Sequence, residues 1–89
     1  MPNTMSKFEK AKKRLLSEPK DYTFTEAKSF LQSLGFEQKN KGKTSGSRVG
    51  FYRESDGATI LLHKPHPEDI LREYAVRQLI DNLKEIGEL

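Results

Sequence analysis

Both histidines of the chain fall in one short run, His63-Lys64-Pro65-His66-Pro67. Imidazole titrates near neutral pH, so two such rings beside a lysine can take a proton at one atom and return one at another. A plainer reading is a strand that ends on two prolines, with its histidines bonded to loop backbone. A cation site is a third option, since His63 and His66 stand three apart and Glu68 and Asp69 follow. The proline between the rings and the lack of any cysteine argue against it, so no metal and no cofactor is expected.

The second chemical feature is charge. Net charge is +3 and the sequence pI is about 9.2, with the charge unevenly spread. Residues 1–20 carry six basic and two acidic side chains, and residues 38–67 the same, whereas residues 68–89 carry three and six. Lys39, Lys41, Lys43, Arg48 and Arg53 gather in the middle block with no acidic residue between 38 and 53. Such a cluster suits a polyanion, although a solvated loop has the same composition. Eighty-nine residues, 34% of them apolar, make one domain with a thin core. The missing cysteines exclude disulfides and mildly favour a cytoplasmic address. No apolar run reaches the roughly 18 residues a membrane span needs, and the N-terminus lacks the apolar stretch of a signal peptide.

These residues need elements to position them. Ser6-Lys7-Phe8-Glu9 and Thr23-Phe24-Thr25-Glu26 have the form of capping boxes, each opening a helix. The first helix carries Phe8, Ala11, Leu15 and Leu16 on one stripe, and Pro19 ends it. It is too short to hold alone, so it docks or frays. In the second, Ala27, Phe30, Leu31 and Leu34 share one face, and Gly35 suits a left-handed cap. A helix is expected over Thr25–Leu34 and strands over Phe36–Asn40, Ser47–Glu54 and Ala58–Lys64. Lys41 to Gly46 reads as a charged loop, and Asp56-Gly57 as a hairpin turn. Alternation puts Val49, Phe51, Ile60 and Leu62 on one sheet face and Arg48, Tyr52, Leu61 and His63 on the other. A last helix over Tyr74–Ile86 carries Val76, Leu79, Ile80, Leu83 and Ile86. A three-stranded antiparallel sheet with helices on one face gives a two-layer α+β domain. Residues 1–21 form a helical extension to a domain over 22–89.

From Phe24 to Glu85 the chain resembles the HicA toxins of bacterial type II toxin–antitoxin systems. The resemblance rests on the helix ending Leu34-Gly35-Phe36, the basic loop, Gly46-Ser47 opening an alternating strand through Phe51, Asp56-Gly57, and His-Pro before the last helix. It implies an α-β-β-β-α fold like that of double-stranded-RNA-binding domains, a metal-independent endoribonuclease (an mRNA interferase) and a HicB-like antitoxin partner. The family's catalytic histidine usually follows the Gly-Ser pair, a place held here by Arg48. Arginine stays protonated and cannot readily act as a base, but it can grip a phosphate and stabilise its transition state.

If RNA is cleaved, the candidate catalytic set is therefore His66, His63 and Arg48, with the Pro65 and Pro67 flanks presenting His66 at low entropic cost. The candidate RNA contacts are Lys41, Lys43, Ser47, Arg48, Tyr52 and Lys64. Tyr52 can stack a base or simply pair across the sheet. The alternative function is a non-catalytic RNA-binding module on the same fold, and a DNA contact is a weaker third. Charge reversal of any two of Lys41, Lys43 and Arg48 should weaken RNA binding alike across sequences and flatten its salt dependence. An unchanged salt slope would show that these side chains face elsewhere.

Overall fold

Ser6 and Thr23 start helices by the same reciprocal bonding. Ser6 Oγ accepts from the Glu9 amide at 3.1 Å and Thr23 Oγ1 from the Glu26 amide at 3.0 Å, while each glutamate accepts from its cap's own amide. The structure, a computed structural model, describes residues 6–39, 48–65 and 68–89. Its helices are α1 (Lys7–Leu16), α2 (Phe24–Ser33) and α3 (Glu73–Glu85), and its strands β1 (Glu37–Lys39), β2 (Arg48–Arg53) and β3 (Ala58–His63). α1 stops short of Pro19, because Glu18 turns left-handed at φ 51°. α2 ends on Gly35 at φ 95°, which donates to the Gln32 carbonyl while Phe36 donates to that of Leu31. That double bond satisfies two terminal carbonyls, and a side chain at Gly35 would cost about 1–2 kcal/mol in this left-handed geometry.

The strands pair antiparallel in the order β1-β2-β3, as an α+β domain requires. Val49, Phe51, Ile60 and Leu62 are buried on one sheet face, against Phe30, Leu31, Leu79 and Leu83 of α2 and α3. α1 docks on this core: Leu15 is fully buried, and Phe8 stacks on Phe30 at 5.5 Å between centroids. Arg14 clamps the same contact, its guanidinium donating twice to Glu26 (2.6 and 2.9 Å) and twice to Asp21, at the backbone carbonyl and the carboxylate (3.3 Å each). Glu26 thereby caps α2 and anchors α1 with one carboxylate.

Element boundaries lie close to the expected ones, with two differences of substance. β1 is shorter than Phe36–Asn40: Phe36 belongs to the α2 cap and the core, and Asn40 lies outside the described residues. The second difference is Arg53, which does not belong to the free basic cluster. Its guanidinium sits 4.8 Å from the Phe36 ring centroid and donates to the Leu34 carbonyl, to Glu88 (2.6 Å) and through Nε and Nη2 to Asp56. With its side chain only 11% exposed, Arg53 ties the α2 end, the hairpin turn and the C-terminal segment together and cannot serve a polyanion.

The Arg53 hydrogen bonds hold the Asp56 carboxyl down at about 2. A carboxyl depressed in the folded state stabilises the fold above its unfolded value, near about 4, and that contribution disappears as pH falls through the folded value. Glu26 is lowered as well, chiefly by its bond to Arg14, and acts in the same direction. Stability should thus drop between about pH 4 and pH 2, and Asp56→Asn should be less stable at neutral pH with a shallower acid decline. Thermal melts of the two proteins across that range check this; parallel pH profiles would show that the Arg53–Asp56 pair contributes nothing.

Candidate functional site

Helices cover one face of the sheet, so the outward residues of β2 and β3 stand at the surface. Arg48 and His63 are direct cross-strand partners, both exposed. Side chains opposite one another in an antiparallel pair have Cβ atoms about 5 Å apart, so an arginine and a histidine stand side by side on the outer face. Leu61 shares the row and is 55% exposed. Tyr52, at the far end of β2, pairs with Thr59 on one side and Glu37 on the other. The sheet therefore places Arg48, Tyr52, Leu61 and His63 on one face as their alternation predicts, with Arg48 and His63 at one end, Tyr52 toward the other and Leu61 between them. His66, Lys41, Lys43 and Ser47 lie outside the described residues.

Beyond His63 the chain must pass from the sheet edge to the start of α3, and a cleft of about 430 Å³ opens where it does so. Lys64 and Arg72 supply cations to its lining, His63 an imidazole, Glu68 an acid, and Ile70 and Tyr74 exposed apolar surface. Alternation sends Lys64 away from His63, and its ammonium rests 5.8 Å from the Phe24 ring centroid. Lys64 and His63 thus reach the cleft from opposite sides of the strand. The far wall is fixed by an isolated antiparallel bridge, Thr23 to Ile70. Phe24 donates to the Asp69 carbonyl at 2.7 Å and Leu71 to that of Tyr22 at 2.8 Å. The Asp69 carboxylate accepts from the amide and hydroxyl of Thr25.

Arg72 and Tyr74 have no part in the candidate set read from the sequence. Arg72 occupies the N-cap place of α3 and its side chain caps nothing, so no capping residue announces where this helix begins. The only available signal was an arginine and a tyrosine ahead of an apolar stripe, which fits a helix start equally well. Chemically, the outer face and cleft offer the cations Arg48, Lys64 and Arg72, an imidazole, an aromatic ring and an apolar floor, a set suited to a phosphodiester and its attached bases. The cleft depends on Asp69. Asp69→Ala should cost about 1–3 kcal/mol, the usual value of hydrogen bonds to a charged group, and speed hydrogen exchange in residues 68–72 ahead of the rest. Unaltered exchange there would show that the bridge alone holds the wall.

Comparison with curated proteins and with solved structures gives no match. The family model for the HicA toxin of bacterial toxin–antitoxin systems matches residues 24–87, from the first residue of α2 to just past α3, and leaves α1 outside. That span contains the whole sheet, the Arg48–His63 pair and the cleft, and on its extent this chain belongs to the HicA toxin family.

Proposed function

We propose that the protein is a toxin that binds mRNA on the outer sheet face and cleaves it without a metal ion. The observation that supports this most directly is the pairing of Arg48 with His63 on an exposed surface. In metal-free cleavage the ribose 2′-oxygen attacks phosphorus, the bond to the 5′-oxygen breaks, and a 2′,3′-cyclic phosphate and a 5′-hydroxyl result. One group must take the 2′-hydroxyl proton and another must protonate the departing oxygen. His63 and His66 are the two imidazoles able to do so near neutral pH. Arg48 grips the phosphate and stabilises the charge that grows on it. The low entropic cost of presenting His66 between two prolines favours it for proton transfer, and the position of His63 beside Arg48 makes it the second candidate.

A toxin of this family acts within a toxin–antitoxin pair. A HicB-like antitoxin that covers the basic outer face would neutralise it, and action on mRNA places the protein in the cytoplasm. The arginine at the family's histidine position favours one other reading, a module that binds RNA and does not cut it. Induced expression in a bacterial host, with and without the antitoxin, separates the two. Growth arrest with mRNA decay, relieved by the antitoxin, is expected of the toxin. His66→Ala, His63→Ala and Arg48→Ala, each shown to fold, then apportion the roles. Loss of at least about a hundredfold in cleavage is expected where a proton-transfer group is removed. Full activity in His66→Ala removes that residue from the mechanism. Full activity in both histidine variants leaves Arg48 a purely electrostatic part, and binding without decay in the unaltered protein establishes the module.

A further inference from the structure

A second recess lies beside the Arg48–His63 pair, between the outer row of β3 and one flank of α3. It measures about 380 Å³, within the roughly 300–1,000 Å³ of small-molecule pockets. Its chemistry differs from that of the cleft. Leu61 and Ile86 present apolar surface, while Gln78, Asn82 and Glu85 line the opposite wall. These three recur along one flank of α3, because Ala75, Val76, Leu79, Ile80 and Leu83 occupy the buried stripe. His63 lines both recess and cleft, so the two meet at that residue.

We propose that this recess seats one unstacked base of single-stranded RNA, with its edge read by Gln78, Asn82 and Glu85. The proposal rests on the RNA reading above and adds its substrate class. Carboxamides both donate and accept, and they pair with base edges in two-point fashion. A base laid against Leu61 would place its phosphate toward Arg48 and its continuing strand toward the cleft. Double-stranded RNA keeps its bases stacked and paired, so it has none to insert. Glu85 carries the sharpest information. A carboxylate works against a surface that binds only phosphates, but it accepts well from a base amino group. Adenine, cytosine and guanine carry one; uracil offers a single N–H between two carbonyls that repel the carboxylate. The recess therefore discriminates against uracil.

Binding to short fluorescent 2′-O-methyl oligonucleotides, which cannot react through the 2′-oxygen, tests this apart from cleavage. Single-stranded oligo-A and oligo-C should bind the full chain about tenfold more tightly than oligo-U, the discrimination of one good base contact. Asn82→Ala and Glu85→Gln, verified as folded by circular dichroism, should each bring that ratio close to one. Equal affinities in the unaltered protein, a ratio surviving in both variants, or tighter binding to a duplex would each overturn the base site alone. Absence of binding to every RNA would overturn the RNA reading and the base site with it.

Discussion

The sheet has one apolar face, and three short strands cannot leave it in water. Val49, Phe51, Ile60 and Leu62 become buried only when α2 and α3 lie across them. Burying a large apolar side chain contributes about 1.5–3 kcal/mol, more than any surface ion pair on this chain can. That requirement places both helices on the same side. It also decides which side remains free, and hence that Arg48, Tyr52, Leu61 and His63 meet solvent or a partner.

Charge is divided by the same packing into spent and available groups. Arg14 and Arg53 act as bolts, their guanidinium groups 5.6 Å from the Tyr22 ring centroid and 4.8 Å from that of Phe36, each bonded to two carboxylates. The stability they provide holds α1 to α2, and the hairpin to the C-terminal segment. Arg48 faces outward beside an imidazole instead. A net charge of +3 therefore says little about the site; what matters is which guanidinium has carboxylates within reach.

The site takes its shape from two backbone arrangements. The antiparallel register of β2 and β3 sets Arg48 beside His63, and the Thr23–Ile70 bridge ties the start of α2 to the approach to α3. Between them the chain leaves the sheet at its edge, where a cleft and a recess share His63. The proposed cleavage would draw on that placement, since misplacement of a reacting group by an ångström weakens catalysis sharply.

Much of this architecture is local and could be read from residue order. Ser6, Thr23 and Gly35 mark helix ends through bonds to residues within five positions, and alternation assigned Val49, Phe51, Ile60 and Leu62 to the buried face and Arg48, Tyr52, Leu61 and His63 to the outer one. Membership of the HicA family was legible too, in the order of motifs from Phe24 onward. Tertiary structure alone decided the rest. Arg53 looked like a member of the basic cluster until Glu88, thirty-five residues away, arrived beside it. The start of α3 carried no capping residue, and Gln78, Asn82 and Glu85 line a recess only because packing lays that flank of the helix along β3. Neighbours in sequence constrain one another through short hydrogen bonds and periodicity, and so leave a pattern in the residues. Partners far apart in the chain meet only because the core must close, and nothing local records that meeting.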